Sequence, residues 1–265
     1  MTEYRPKRRW GQNFLIDKNI VNKIGEAINP QENDRILEIG GGKGALTDYL
    51  LQSGAKVHTV EIDRHLARIL ENKFSDKNNF YLHNDDILEF DFSGIIKDQE
   101  KIRVIGNIPY NITSPLLARI FQNADKIEDV FLLVQKELAE RICAESGNKT
   151  YGILTIITRL FGKAEKLFDV SRNVFRPRPN VTSSLMKITI SNKYDIDRRE
   201  VEKVRRVVKT GFNQRRKTLR NSLGELLPED RDNCPIDLSK RAEKLEVEDF
   251  IRLTRWIDQK NPILT

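Results

Sequence analysis

From Asp34 to Ile190 the chain alternates short apolar runs with amphipathic stretches, and this alternation limits its possible folds more than any other feature. RILEIG (35–40), KVHTVEID (56–63), FYLHND (80–85), RVIGNI (103–108) and DVFLLVQ (129–135) read as strands. Stretches such as ALTDYLLQSG and RHLARILENKF between them carry the apolar spacing of helices. Buried strands alternating with helices predict an α/β fold, a mostly parallel sheet covered on both faces. Two later runs, 163–170 and 183–190, read as a hairpin that brings the sheet to seven strands and adds an antiparallel element at its edge.

After Ile190 no strand pattern returns. The segment SNKYDIDRREVEKVRRVVKTGFNQRRKTLRNSLGELL has a helical apolar period and dense positive charge. A boundary near residue 192 therefore divides the chain into an α/β domain (1–191) and a small all-helical domain (192–265). Lysine and arginine outnumber aspartate and glutamate by 46 to 39. From Arg198 to Arg220 the excess is ten to two, enough to track a phosphate backbone. Arg5, Lys7, Arg8 and Arg9 form a second cluster. Cys143 and Cys234 are far apart and lack metal-ligand spacing, as expected of free thiols in a reducing compartment. The basic N-terminal stretch has no apolar signal-peptide run, and nothing approaches the roughly 20 apolar residues of a membrane span. The expected location is the cytoplasm, with no membrane partner.

The turn Glu38-Ile39-Gly40-Gly41-Gly42-Lys43-Gly44 follows the first strand and opens a helix. Glycines there allow positive φ and close approach of a ligand to the backbone. NAD, FAD and S-adenosylmethionine all use such turns, but the third glycine of the dinucleotide spacing is missing. Glu61 ends the second strand, where a carboxylate can accept from both hydroxyls of a ribose. Asp86, after the third strand, can reach an adenine amino group. These residues predict a nucleoside-containing cofactor at the carboxyl edge of the sheet.

Asn107-Ile108-Pro109-Tyr110 ends the fourth strand and settles the chemistry. The lone pair of an aromatic amine such as adenine N6 is delocalised into the ring. Two acceptors, the Asn107 side-chain oxygen and the Pro109 carbonyl, can draw that nitrogen toward the geometry needed to attack a methyl sulfonium. Proline stiffens the turn and removes a competing donor. Tyr110 offers a flat face for an extruded base, and the neutral amine needs no general base before it attacks.

On these residues the chain resembles the KsgA/RsmA family of small-subunit ribosomal RNA adenine N6,N6-dimethyltransferases. The matching segments are Gly11-Gln12-Asn13-Phe14-Leu15, Glu38-Ile39-Gly40, Asn107 to Ile112, Phe175 to Val181 and Phe212 to Leu223, in the expected order. The resemblance implies a class I, Rossmann-like methyltransferase fold with a small helical C-terminal domain. It implies S-adenosylmethionine held by Asn13, Leu15, Gly40, Glu61, Asp86 and Asn107. It implies catalysis by Asn107, Pro109 and Tyr110, with Phe175 stacking on the opposite face of the base. It also implies four methyl transfers to two adjacent adenosines in the 3′-terminal hairpin of 16S rRNA, and a role in small-subunit biogenesis. The expected partner is the small-subunit rRNA or pre-30S particle, met by a monomer through Arg215, Arg216, Lys217 and Arg220. Gly41 departs from the pattern, since the family usually has proline there, and this predicts a looser loop. Gly106 and Ser114 are small residues that can leave room for a methylated amine.

Three other readings compete. Macrolide-resistance methyltransferases of large-subunit rRNA share the Asn107–Tyr110 pattern, but the FNQRRKTLRNSL segment favours the small-subunit family. An assembly or transcription factor that kept the fold without activity is disfavoured by intact Glu61, Asp86, Asn107 and Tyr110. An NAD oxidoreductase is disfavoured by the glycine spacing.

Overall fold

The computed structural model describes residues 11–96, 100–231 and 233–263. The basic cluster Arg5–Arg9 lies outside them. Seven strands form one sheet: β1 (Arg35–Ile39), β2 (Lys56–Val60), β3 (Phe80–His83), β4 (Ile102–Asn107), β5 (Ile127–Gln135), β6 (Gly162–Val170) and β7 (Ser183–Ile190). Their order is β3-β2-β1-β4-β5-β7-β6. The pairs β1–β2, β1–β4, β2–β3 and β4–β5 are parallel. β7 is antiparallel to β5, with Leu133 opposite Leu185 and Gln135 opposite Ser183. The two late strand runs are thus neighbours at the sheet edge, as expected from sequence. A separate short ladder pairs Phe14 with Arg176 and Leu15 with Phe175.

Helix α1 (Lys18–Ile28) precedes the sheet, and α2 (Ala45–Gln52), α3 (Arg64–Phe74) and α4 (Thr113–Gln122) connect parallel strands. Their starts are written in the sequence. The Asp17 carboxylate accepts from the backbone of Asn19 and Ile20, and Asp63 caps α3 through His65 N–H. On α3 the buried residues Leu66, Ala67, Leu70 and Phe74 fall on one face.

The amino ends of the strands are clasped by Arg103 on β4, which is 8 % exposed. Its guanidinium donates to Asp129 at 2.9 and 3.0 Å, to Asp34 at 2.7 Å and to the Ile28 carbonyl at 2.8 Å. These are charge-assisted bonds in a largely dry setting. The carboxyl end of the same strand carries Asn107.

The chain separates into two compact units: residues up to Ala139 with Glu165–Ile190, and Glu140–Ala164 with the chain from Ser191 onward. This differs from the boundary read near residue 192, because Glu140–Ala164 joins the second unit. The reason is packing. Tyr151, Ile156 and Leu160, around helix Ile153–Phe161, share a core with Val204, Val207, Val208, Phe212 and Phe250. Helix Arg198–Asn213 buries Val204, Val207, Val208, Gly211 and Phe212, the i, i+3, i+4, i+7, i+8 stripe of an amphipathic helix. Each fully buried aliphatic side chain there contributes about 1.5–3 kcal/mol. Residues 191–263 contain no strand among those described. No helix among the described residues is long and apolar enough to cross a membrane.

Candidate active site

The carboxyl ends of β1, β2 and β4 open onto a cavity of 310 Å³, within the range of small-molecule sites and at the edge where open α/β sheets bind ligands. Asn13, Leu15, Gly40, Glu61, Asp86, Asn107, Pro109 and Tyr110 all line it. Residues that the sequence reading placed in several motifs therefore meet around one space.

Glu61 lies at one end of this cavity. It is 4 % exposed, and its two carboxylate oxygens accept from Gly42 N–H at 3.0 Å and Asp63 N–H at 2.9 Å. Gly42 holds φ +57° to present that N–H, a conformation that disfavours side chains. Each carboxylate oxygen keeps acceptor capacity for a ligand hydroxyl. Burial pushes the Glu61 carboxyl above the usual range.

Glu38 sits beneath the same loop, accepting at 2.7 Å from both Thr47 and Thr59 hydroxyls. Burial raises its pKa to about 6 against those two bonds. Gly41 has close neighbours. A Cβ added there would lie 2.5 Å from the Thr59 methyl and 2.9 Å from a Leu70 methyl, so those side chains fill the space a larger residue would take.

The sequence reading missed several apolar wall residues. Ile62 is 43 % exposed, unusual for isoleucine, and it lines the cavity together with Ile87 and Leu88. They make that stretch of the cavity wall apolar. The only sequence signal was their position beside Glu61 and Asp86. Four carboxylates (Glu38, Glu61, Asp85 and Asp86) line the same cavity as Lys43. That charge suits a ligand carrying a ribose, an adenine and a cationic centre, so these residues fit S-adenosylmethionine.

At the other end of the cavity, the Asn107 amide donates from Nδ2 to the Asn13 carbonyl at 3.0 Å. This bond fixes the amide's orientation and leaves Oδ1 as an acceptor. The Pro109 carbonyl accepts from Ile112 N–H at 3.2 Å and has a second lone pair. Tyr110 is half-buried, with its hydroxyl 2.8 Å from Ser183 Oγ.

Phe175 does not join this group, which corrects the expected aromatic sandwich. It is 1 % exposed, paired with Leu15 in the short ladder, and packed in the core with Leu133, Val170 and Leu185. A side chain committed to the core has no face left for a base. Ser114 is exposed and away from the cavity wall. Gly106 lines the wall, but a Cβ there would lie 2.9 Å from Ile108 and 3.2 Å from Ile39, so packing alone requires the glycine.

In the second unit Arg216, Lys217 and Arg220 are exposed. Arg215 is engaged: it donates to the Tyr151 carbonyl and lies over the Phe212 ring at 5.7 Å. Among the described residues no group of His, Cys, Asp or Glu is arranged to hold a metal ion.

A family model described as Ribosomal RNA adenine dimethylase matches residues 4–259. The chain is 41 % identical over 256 residues to the ribosomal RNA small subunit methyltransferase A of Pseudomonas aeruginosa, covering 96 % of each. Its structure is similar to that of a dimethyladenosine transferase from Plasmodium falciparum, with a TM-score of 0.80 and 27 % identity over 93 % of this chain and 98 % of that one. It is also similar to the 23S rRNA methyltransferase ErmE, with a TM-score of 0.72 and 26 % identity over 93 % of this chain and 100 % of that one.

Proposed function

Because the chain belongs to the ribosomal RNA adenine dimethylase family, we infer that it is an S-adenosylmethionine-dependent enzyme that dimethylates adenine N6 in small-subunit rRNA. We further propose that its targets are two adjacent adenosines in the 3′-terminal hairpin of 16S rRNA, reached as a monomer on pre-30S particles in the cytoplasm. Relatives about 40 % identical over nearly their whole length carry the small-subunit name, which favours this substrate over the large-subunit RNA of the more distant ErmE.

When bound, S-adenosylmethionine supplies an electrophilic methyl group on a sulfonium. Glu61, Asp86 and the Gly40–Gly42 turn are the residues proposed to hold it, with Asn13 and Leu15 on the facing wall. The carrying observation is the Asn107 amide. One of its N–H groups is taken by the Asn13 carbonyl, which leaves Oδ1 as its acceptor, and Asn107 and Pro109 both line the cavity. Two acceptors on one amine draw both N–H bonds away from the ring plane and localise the lone pair. After the first transfer one N–H remains, and one acceptor suffices for the second. The proton released by each methylated amine passes to solvent. Tyr110 supplies the stacking face for an adenine taken out of its loop. Arg216, Lys217 and Arg220 are proposed to contact phosphates.

The test is Asn107→Ala on unmethylated small subunits with tritiated cofactor. The expected result is loss of most single-turnover activity with RNA binding retained. Near-wild-type turnover would remove Asn107 from the chemistry, and label appearing in large subunits instead would favour the resistance-enzyme reading.

A further inference from the structure

Ser183 opens β7 and is 1 % exposed, so its hydroxyl must find a partner inside the protein. That partner is the Tyr110 hydroxyl at 2.8 Å. The serine is held on every side. It pairs with Gln135 in the sheet. Its predecessor Thr182 accepts from Lys136 N–H at 3.0 Å. Its successor Ser184 donates to Asp169 at 2.7 Å, and Asp169 in turn takes the Lys136 ammonium at 2.6 Å. Tyr110 has a slighter frame, its carbonyl accepting from the Thr113 hydroxyl at 3.2 Å. It begins a three-residue turn after Pro109 and belongs to no strand. A phenyl ring on such a turn is free to swing about two side-chain torsions unless its far end is tied.

We infer that Ser183 is a positioning residue for methyl transfer: it pegs the Tyr110 phenol so that the ring keeps one plane at the cavity wall. This rests on the reading of Tyr110 as the stacking face. An extruded adenine then meets a preset surface, and its amine arrives in register with the Asn107 oxygen and the Pro109 carbonyl. Stacking alone would make the Tyr110 hydroxyl dispensable. A pegged ring makes it matter as much as the serine does.

A double-mutant cycle separates the two. Tyr110→Phe, Ser183→Ala and the double variant are compared with wild type in single-turnover methylation of unmethylated small subunits, alongside calorimetric binding of S-adenosylmethionine. Each single change should slow transfer about tenfold, the size of one lost hydrogen bond. The double variant should be no slower than either single one, and cofactor affinity should stay unchanged. Ser183→Thr, which keeps the hydroxyl, should recover most of the rate. If Ser183→Ala does not fold, Tyr110→Phe removes the same bond from the exposed side and carries the test. Wild-type rates in Tyr110→Phe, or losses that add in the double variant, would overturn the inference. Full activity in Tyr110→Ala would instead remove the stacking role on which it rests.

Discussion

Replacing Glu61 by glutamine tests the cofactor end of the site most directly. The carboxylate accepts two backbone N–H groups, one on each oxygen, at 3.0 and 2.9 Å. Glutamine has one acceptor oxygen, so its amide must turn a donor toward either Gly42 or Asp63. Leaving one buried N–H unpaired costs about 1–3 kcal/mol of stability. The same change removes a charged acceptor for a ribose hydroxyl, worth about 1.5–3 kcal/mol, which weakens cofactor binding roughly 10- to 150-fold. Thermal unfolding reads the first effect and calorimetric titration with S-adenosylmethionine the second. Burial raises the Glu61 pKa, so the wild-type affinity should fall on acidification before ordinary carboxylates begin to titrate. The variant's affinity should be flat over that range. A folded Glu61→Gln protein that binds cofactor within twofold of wild type would refute the assignment.

Three more outcomes are expected. Charge reversal at Arg216, Lys217 and Arg220 should weaken subunit binding and lower the salt slope by about one unit per lost phosphate contact in filter binding. Arg215→Glu should also lower the melting temperature, because Arg215 is bonded to the Tyr151 carbonyl. Arg103→Met should destabilise the protein by about 3–5 kcal/mol in urea unfolding, since it leaves the buried Asp129 without its main partner. Finally, acid stability should show two opposed contributions. His58 is 7 % exposed and its pKa is lowered to about 4, mainly by burial. Its stabilising effect is complete above its unfolded pKa near 6.5 and is lost, by up to about 3 kcal/mol, as pH falls toward 4. Glu38 is raised to about 6 by burial, so its effect runs the other way: stability is gained as pH falls through 6 toward its unfolded value. Glu38→Gln removes that gain, and its stability should drop more steeply than wild type between pH 6.5 and 4.5. Parallel curves would show that the Glu38 carboxyl is not strained by burial.

The strands were legible because each combines an apolar run with a boundary signal, such as the glycines after Ile39 or the Asp63 that opens the next helix. The site was legible where chemistry demands a residue type: glycine at Gly42, an acid at Glu61, an amide at Asn107. Packing choices were not. Nothing in the sequence distinguishes Phe175 in the core from Phe175 on a base, because both fit an aromatic beside prolines. Helix Ile153–Phe161 lies between two of the strand runs, and its place in the second unit's core is set by packing partners far along the chain. The role of Ser183 depends on strand register and on which side chain faces it, and neither shows in a linear pattern. The closeness of Thr59 and Leu70 to Gly41 is likewise invisible in the sequence.

The ladder between Phe14–Leu15 and Phe175–Arg176, together with the Asn13–Asn107 bond, has a consequence for how the protein is made. Asn13 and Asn107 are 94 positions apart, and the ladder joins segments still more distant. Contacts this remote in sequence form late, after nearer ones have closed their shorter loops. During synthesis the glycine turn and Glu61 emerge early and Asn13 gains its Asn107 partner midway, but Leu15 is laddered only when Phe175 and Arg176 have appeared. A nascent chain halted at residue 150 would carry all six proposed cofactor residues and still lack the ladder that holds Leu15. Tight cofactor binding should therefore arise late, as Phe175 and Arg176 close the short ladder.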